Sequence, residues 1–360
     1  MRIFDNLNKR VILDIGTNYA KALMLEDKSD NVFKIKYAVE EANYNFNFLP
    51  LQESKIEDEA NFLETVRLVY SRLKTMEKNV FITIPDHVVI IRLINLKSEE
   101  IPQSNDAESI KNAVLKKIKP TLPISLDRWF FDMQEVENSS NGKIFLVEAI
   151  LRNNLFEFER QIRKLGLNPV GVDINSFNTV NLFSDYLESD ENRDKNISIV
   201  SLNNKSTTVM VFRNGSLRTA QTRLIGGFDF AKKIAESKNI SISQAQKILY
   251  DETIFLPEIS DKQENIINFN IIKPVLSELI MSLFNVYEYY TENFKESEIN
   301  KIILTGGLSN MKNIAVQFNS RLNIEVHSGC DLIKCVDSSG NNVPKERLSI
   351  LSSALGSALR

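Results

Sequence analysis

A short polar turn between two apolar runs carries the first residues whose chemistry suits a ligand. The stretch ILDIGTNYAKALML, residues 12–25, places Asp14, Gly16 and Thr17 between runs of mainly apolar residues. Backbone N–H groups in such a turn form a concavity that binds anions, and glycine lets a phosphate approach the chain closely. A phosphate repels a neighbouring acid unless a cation, commonly Mg²⁺ held through waters, lies between them. The turn therefore predicts a phosphate site at which Asp14 holds Mg²⁺ through water.

The same pattern returns in the second half of the chain. The segment ISIVSLNNKSTTVMVFRNGSLRTAQT, residues 197–222, predicts a strand, a polar turn, a strand, an Asn-Gly turn and a further strand. Asn-Gly between alternating apolar runs favours a hairpin, because both residues tolerate positive φ. An offset of 187 residues lays Asp14 on Ser201 and Gly16 on Asn203. This weak repeat predicts two similar lobes whose tight turns face one another and clamp phosphate.

Two glycine pairs complete the set of residues suited to a nucleotide. Gly226–Gly227, in RLIGGFDFAKKIAE, precedes a predicted helix, and Gly306–Gly307, in KIILTGGLSNMKN, follows a predicted buried strand. Gly306 and Gly307 let a nucleoside lie against the backbone. We expect Ser309 or Asn310 to cap the helix that follows them. Each pair alone, like a lone D-x-G-T, is more often an ordinary turn. Their order along the chain is what favours a nucleotide cleft.

Composition excludes several other classes of function. The 360 residues are enough for two domains, and the 43% hydrophobic and 25% charged contents are ordinary for a soluble protein. A net charge of −3 implies no general affinity for nucleic acid. Cys330 and Cys335 lack the further ligands of a zinc site, and with only two histidines, His87 and His327, histidine-based acid–base catalysis is not expected. The start MRIFDNLNKR has no signal-peptide core, and no run reaches ~18 apolar residues, so we expect a cytoplasmic protein.

Alternating strands and helices are predicted to position these turns. NVFKIKYAV extends the first hairpin, a helix follows over 55–77, and NVFITIPD is a buried strand. A small unit over 88–136 holds the strands HVVIIRLINL and DRWFFDMQEV and a helix over about 104–119. KIFLVEAIL is expected to return to the main sheet, followed by a helix ending at Gly166, a buried strand VGVDI, a helix SFNTVNLFSDYL and a linker over 188–196. Trp129 is expected to pack inside the small unit, with a wall for a docked peptide as the alternative, and Asp86 and His87 to form a turn.

Six segments, in order, resemble the actin-like ATPase superfamily and, within it, the PilM family of type IV pilus assembly, a relative of FtsA. They are FDNLNKRVILDIGTNYAKAL, LPISLDRWFFDMQEV, QIRKLGLNPVGVDINSF, LIGGFDFAKKIAE, ILTGGLSNMKNI and ALGSALR. The resemblance covers nearly the whole chain. It implies an α/β, two-lobed actin-like (ribonuclease H-like) fold with a small inserted α+β subdomain.

The resemblance also implies domain bounds and a nucleotide site. The first lobe would hold residues 1–85 and 149–187, the inserted subdomain 86–148, the second lobe 197–225 and 300–360, and a helical subdomain 226–299. The cleft would bind ATP or ADP with Mg²⁺. The residues expected at the nucleotide are Asp14, Gly16, Thr17, Asn18, Lys21, Asn203, Asn204, Lys205, Ser206, Thr207, Gly226, Gly227, Gly306, Gly307, Leu308 and Asn310.

Two departures from the family pattern bear on activity. The second turn is usually D-I-G, and here it reads Ser201-Leu202-Asn203, with Ser206-Thr207 retained. The family acid that helps orient the attacking water is Asn175 here, and an amide cannot act as a base. Losing one preorganised contact costs on the order of 10²–10³ in rate. We therefore expect weak or absent hydrolysis, with Asp14 and Asn175 as the only catalytic candidates, and complete loss of nucleotide binding as the alternative.

The resemblance implies a cytoplasmic adaptor, peripheral to the inner membrane, in the type IV pilus platform. It would bind the N-terminal tail of a PilN-like membrane protein, touch the membrane only through partners and connect to other platform and motor proteins. Nucleotide would set the closure of the two lobes. The alternatives are an ATP-dependent kinase or ATPase of the same fold, disfavoured by the missing acids, and an FtsA-like division filament protein, disfavoured by the small-residue end LSSALGSALR. The cytoplasmic half of a type II secretion platform protein is also related, and the expected absence of a membrane span disfavours it. Self-association is left open.

Overall fold

The computed structural model describes residues 10–29, 32–42, 44, 48–139, 142–251, 255, 263–294 and 298–359. Asn31, the first residue of the predicted third strand, lies outside these residues, as do the segment FDNLNK and Arg360 of the family resemblance. Within the described chain, strands form sheets of six, five and three members.

The bounds of the described elements follow in chain order. The strands are β1 Val11–Ile15, β2 Tyr19–Ser29, β3 Val32–Glu41, β4 Asn79–Ile84, β5 Ile90–Lys97, β6 Trp129–Ser139, β7 Gly142–Leu151, β8 Asn168–Ile174, β9 Ile197–Leu202, β10 Thr207–Arg213, β11 Ser216–Arg223, β12 Lys301–Thr305, β13 Glu325–Ser328 and β14 Lys334–Asp337. The helices are α1 Glu59–Arg72, α2 Ala107–Ile118, α3 Arg152–Lys164, α4 Asn175–Val180, α5 Ser184–Glu188, α6 Gly227–Lys238, α7 Ile242–Asp251, α8 Gln263–Phe294, α9 Ile314–Leu322 and α10 Lys345–Ser357.

The six-stranded sheet, in the order β14-β3-β2-β1-β4-β8, forms the first lobe. β1, β2 and β3 make an antiparallel meander, and β4 and β8 continue parallel to β1. β1 is buried along its whole length, as befits a central strand of a sheet with helices packed on it. Because parallel strands end at the same edge, the chain after β1, β4 and β8 converges there and brings Gly16, Pro85 and Asn175 together.

The five-stranded sheet, in the order β11-β10-β9-β12-β13, repeats this plan in the second lobe. β9, β10 and β11 form a meander, and β12 and β13 run parallel to β9. The predicted Asn-Gly hairpin between β10 and β11 is confirmed, since Asn214 and Gly215 have φ of 53° and 71°. The ends of β9 and β12 bring Asn203 and Gly306 to one edge of this sheet.

The three-stranded sheet differs from the prediction in its third strand. KIFLVEAIL, which was expected in the main sheet, is β7, the central strand between β5 and β6. Its side chains on one face pack with Ile118 of α2 and with Trp129, which is buried in this small core. A strand needs partners on both sides to satisfy its backbone, and β5 and β6 supply them. We therefore propose that the inserted subdomain spans about residues 90–151.

Three predicted elements of the first lobe are shorter, or more exposed, than the sequence indicated. The helix predicted over 55–77 is α1, which ends where Lys74 takes a φ of 47°, and Met76 is 90% exposed. VGVDI, predicted as a buried strand, lies in β8 at the edge of the sheet, where Val170 and Val172 remain partly exposed. The predicted single helix SFNTVNLFSDYL is divided into α4, a 3-10 turn and α5.

The C-terminal segment returns to the first lobe, although the sequence placed residues 300–360 wholly in the second. β14 pairs in parallel with β3. On α10, Leu348, Leu351 and Leu355 are buried, and the helix packs on α4 and on β1, β2 and β4 of the first lobe. We propose that the boundary of the second lobe lies near residue 333, just before β14 joins the sheet of the first lobe.

α8 is the longest helix of the second lobe. By length and composition it also meets the criterion for a helix that crosses a membrane. Its inward side chains, including Ile272, Leu279 and Tyr290, are buried in the core of this lobe.

Candidate functional site

The turn between β1 and β2 is held in shape by its own backbone and by a buried ion pair. The Gly16 amide donates to the Tyr19 carbonyl at 3.1 Å, and a Cβ on Gly16 would lie 2.6 Å from that oxygen, so the position requires glycine. Asp14 and Lys21 are opposite each other in the strand ladder. Lys21 Nζ therefore reaches Asp14 Oδ2 at 2.9 Å, with the carboxylate fully buried and the lysine side chain only 10% exposed.

The turn between β9 and β10 is the structural counterpart of the first. The Asn203 amide donates to the Ser206 carbonyl at 2.9 Å. The Asn203 side chain donates from Nδ2 to Ser201 Oγ at 3.0 Å, on the residue that replaces the usual acid. Ser206 and Thr207 are buried, and Thr207 Oγ1 donates to the Ile225 carbonyl at 2.8 Å. This turn presents amide and hydroxyl groups and no carboxylate of its own.

Gly226–Gly227 supports the second turn from behind. The amides of Gly227 and Phe228, at the start of α6, donate to the carbonyls of Asn203 at 3.0 Å and Asn204 at 2.7 Å. A Cβ on Gly226 would lie 2.5 Å from both carbonyl oxygens. The amides at this helix start are therefore used by the protein itself, and the predicted contact of this pair with the nucleotide finds no support in its position.

The second glycine pair follows β12 and borders the cavity between the lobes. Gly306 has a φ of 84°, and a Cβ there would lie 2.4 Å from the Leu202 carbonyl oxygen. Gly307 and Leu308 line the cavity, and a Cβ on Gly307 would meet no atom within 4 Å. The expected capping of the next helix is wrong: Ser309 Oγ donates to the Gly306 carbonyl, Asn310 Nδ2 donates to the Glu346 carbonyl, and the N-cap residue is Asn313.

Asp86, which the sequence indicated only as part of a turn, joins the two lobes beneath the site. Its Oδ1 accepts from the Ser176 amide at 2.9 Å, and its Oδ2 accepts from Ser176 Oγ at 2.5 Å and from Asn203 Nδ2 at 3.3 Å. Burial raises the pKa of this carboxyl, and the donors from Ser176 partly oppose that rise. The neighbouring His87 is buried beside Lys205, and these two influences lower its pKa to about 3.

The tips of the two turns touch directly. Asn204 Nδ2 donates to Thr17 Oγ1 at 3.1 Å, and the two residues are 187 positions apart, the offset of the sequence repeat. Gln246 of α7 donates to Asn18 Oδ1 at 3.4 Å. The predicted facing of the two turns is therefore present, with hydrogen bonds closing the space between the tips.

A cavity of about 60 Å³ lies behind these tips. Ligand pockets usually measure about 300–1,000 Å³, so a nucleotide would require the lobes to separate. Of the predicted residues, the cavity is lined by Gly16, Thr17, Asn18, Lys21, Asn175, Asn203, Asn204, Lys205, Gly306, Gly307 and Leu308. The predicted residues outside this lining are Asp14, Ser206, Thr207, Gly226, Gly227 and Asn310.

The sequence alone did not indicate that α10 contributes to the site. Ser349, Ser352 and Ser353 line the cavity, and Ser353 Oγ donates to Asn175 Oδ1 at 3.1 Å. The small residues of LSSALGSALR also allow close packing, since a Cβ on Gly356 would lie 1.9 Å from the Asn178 carbonyl oxygen. Serines spaced by three and four in an otherwise apolar helix were the available signal.

The residues fit a nucleotide better than they fit a magnesium ion. Gly307 leaves open space, Thr17 offers a hydroxyl, and Lys21 and Lys205 offer ammonium groups, which suit phosphate oxygens. Within the described residues, no three carboxylate, histidine or cysteine side chains come together as metal ligands. Asp14 Oδ1 accepts no hydrogen bond from the described chain, but the same carboxylate is already paired with Lys21.

Comparisons with known proteins agree with this geometry. The profile of the family described as type IV pilus assembly protein PilM matches residues 12–360. No curated protein matches the sequence. A solved structure described as a PilM-PilN type IV pilus biogenesis complex is similar at a TM-score of 0.78 and 18% identity, covering 99% of this chain and 99% of that chain.

A second solved structure is the ethanolamine utilization protein EutJ from Carboxydothermus hydrogenoformans. It is similar at a TM-score of 0.54 and 13% identity, covering 97% of this chain and 89% of that chain. The predicted α/β, two-lobed actin-like fold is confirmed.

Proposed function

Because the chain belongs to the PilM family of type IV pilus assembly proteins, we propose that it is a cytoplasmic adaptor of the inner-membrane assembly platform. It binds the N-terminal tail of a PilN-like membrane protein and reaches the membrane only through such partners. The similarity to a structure described as a PilM-PilN complex supports this partner. Other platform and motor proteins would connect through the same adaptor.

The observation that carries the proposal is a seam between the first lobe and the inserted subdomain. We define the seam as residues 49–54, 127–131 and 152–156. Three large apolar side chains are exposed there in spite of their size: Leu49 at 41%, Leu51 at 49% and Phe156 at 48%. Exposed apolar residues gathered at a junction between two units are typical of a surface that binds another protein.

Polar contacts hold the two sides of the seam in fixed positions. Glu53 of the first lobe pairs with Arg128 of the inserted subdomain and accepts from Asn153 Nδ2 at 2.8 Å. Arg152 donates from Nε to the Asp127 carbonyl at 2.7 Å and lies 4.3 Å above the ring of Phe130.

The aromatic side chains of the seam complete this arrangement. The ring of Phe130 packs edge-on against Phe156 at 5.7 Å between centroids. A preorganised surface of this kind loses little conformational entropy when an extended peptide docks.

The wall that the sequence suggested for the peptide is not Trp129. Its side chain is 1% exposed, and its Nε1 donates to the Ile124 carbonyl at 3.4 Å inside the small core. β5 and β6 are the edge strands of the inserted sheet, so either edge offers backbone groups to an added strand. We infer that the peptide contacts Phe130 and Phe156 and runs beside β6.

Binding of a synthetic peptide tests this function. The peptide is the N-terminal tail of the PilN-like protein encoded beside this chain, and calorimetry should give a dissociation constant in the micromolar range, about −8 kcal/mol. Phe156→Asp should weaken binding by at least about tenfold, since it places a charge where an apolar contact is expected. Salt should have a small effect, because the expected contacts are apolar and the net charge of the chain is only −3.

Phe284→Asp on α8 is the matched control, because Phe284 is 47% exposed, nearly the same as Phe156, and lies in the second lobe. Equal weakening by the two substitutions, or no binding by the wild type, would contradict the proposal. Deleting residues 86–148 is a poor alternative, since it cuts β7 and removes the buried Asp86.

We further propose that the cleft binds ATP or ADP with little or no hydrolysis. The cavity carries no carboxylate at the positions of Ser201 and Asn175, and the Asn175 amide is held by Ser353. An amide orients water without accepting its proton, so the chain has no evident general base at this position. Lobe closure around the nucleotide would then act as a switch for partner binding.

A further inference from the structure

We propose that this cleft binds the phosphates of its nucleotide through two lysine ammonium groups, without a divalent cation. The inference rests on the proposed nucleotide binding and concerns the charge that offsets the phosphates. It replaces the expectation, drawn from the sequence, that Asp14 holds Mg²⁺ through water.

The first step concerns the carboxylate that a metal would need. Mg²⁺ at a nucleotide is usually held by one or two carboxylates together with phosphate oxygens and waters. Asp14 is fully buried, and Lys21 Nζ lies 2.9 Å from its Oδ2. The opposite strand positions of these two residues hold them together, so the ammonium group already occupies the place of a counter-cation. A metal ion bound there would meet a like charge.

The second step concerns the other acids near the cleft. The usual acid of the second turn is replaced by Ser201, whose hydroxyl accepts from Asn203 at 3.0 Å. Asp86 is buried and outside the cavity lining, and both its oxygens accept hydrogen bonds from Ser176 or Asn203. Ser201 has no carboxylate to offer a metal, and Asp86 cannot turn an oxygen towards one without breaking its contacts with Ser176 or Asn203.

The third step is the positive charge that the cavity presents. Lys205, in the second turn, lines the cavity together with Lys21 of the first. Burial lowers the pKa of Lys205, and the negative charge of Glu57 partly offsets this effect. A phosphate close to Lys205 would favour the charged form of the lysine in the same way. The other basic side chain there, His87, is neutral at physiological pH because its pKa is about 3. Two ammonium groups from opposite lobes can contact neighbouring phosphates directly.

Nucleotide titrations with and without metal test the inference. ADP and ATP are each titrated into the full chain in Mg²⁺ and in EDTA, and binding is followed by calorimetry. For each nucleotide, we expect the dissociation constants measured in Mg²⁺ and in EDTA to agree within about threefold. Lys205→Met should weaken binding by about tenfold or more in both conditions, because a charge-assisted contact is lost. Lys111→Met, at an exposed lysine of α2, is the matched control and should change neither constant.

The outcomes separate this inference from the proposed function. Binding that appears in Mg²⁺ and falls by about tenfold or more in EDTA overturns the inference and leaves nucleotide binding intact. Absence of binding in both conditions overturns the inference together with nucleotide binding, while the peptide titration still decides the adaptor function. Ser201→Asp restores the missing acid and should make binding tighter in Mg²⁺ than in EDTA. A preference for Mg²⁺ of about tenfold or more in the wild type that Ser201→Asp does not increase would also overturn the inference.

Discussion

At the residue scale, His87, which lines the cavity, makes the stability of the folded chain depend on pH. It is 2% exposed in the turn after β4, and burial together with nearby Lys205 lowers its pKa from 6.5 to about 3. Between these values the unfolded chain binds a proton that the folded chain does not. Stability is therefore lost as pH falls from about 6.5 towards 3, by roughly 2–3 kcal/mol at about pH 4.5 from this residue.

Replacing His87 should remove this part of the acid sensitivity. We expect His87→Gln to lose roughly 2–3 kcal/mol less than the wild type between about pH 7 and 4.5, when free energies of unfolding are measured in urea. The chain has one other histidine, His327, on β13, so His327→Gln is the natural control. The same loss in the wild type and both variants would show that His87 is not the group responsible.

At the scale of elements, the direct contact between the two turns is the feature with the clearest consequence. The bond from Asn204 to Thr17 joins the tip of the β9–β10 turn to the tip of the β1–β2 turn. A hydrogen bond of this kind contributes about 0.5–1.5 kcal/mol. It should hold the lobes closed when no nucleotide is bound.

Asn204→Ala should therefore increase opening of the cleft by about 2–12-fold. Hydrogen exchange of the amides in the two turns measures this opening. Relative to the wild type, exchange in Asn204→Ala should become faster in the turns and change little in the centres of the sheets. Asn138→Ala is the control, because Asn138 lies at the exposed end of β6, away from the cleft, and donates a comparable side-chain hydrogen bond to Glu135 at 3.0 Å. Unchanged exchange at both turns in Asn204→Ala would contradict a closing role for this bond.

At the scale of the whole molecule, α10 connects the C-terminal part of the chain to the first lobe. It packs closely on α4, where a Cβ on Gly356 would lie 1.9 Å from the Asn178 carbonyl oxygen. Because that oxygen belongs to the backbone, the clash cannot be relieved by turning a side chain. Gly356→Ala should destabilise the protein by roughly 2–3 kcal/mol, measured by urea unfolding.

Gly307→Ala serves as the control for this substitution. A Cβ on Gly307 would meet no atom within 4 Å, and the residue does not have positive φ. We expect its free energy of unfolding to stay within about 0.5 kcal/mol of the wild type. If Gly356→Ala were as stable as Gly307→Ala, the close packing of α10 on α4 would be wrong.

Local pattern was enough for the sequence to determine the two meanders and the polar turn within each, while the family was indicated by the resemblance of six ordered segments. Alternating apolar residues predict strands wherever they occur, and Gly16, Asn214 and Gly215 mark turns through their own conformational preferences. The order of the segments then indicated two lobes, because the same arrangement of strands recurs after 187 residues.

Tertiary structure alone decided which distant segments meet. β7 could join either sheet by its own pattern, and its register with β5 and β6 settled the choice. The return of β14 and α10 to the first lobe depends on burial against residues some 300 positions earlier, which no local window contains. The contacts of Asp86 with Asn203 and of Asn204 with Thr17 have the same origin. Each side chain is compatible with an ordinary turn, and only the approach of the two lobes gives it a partner.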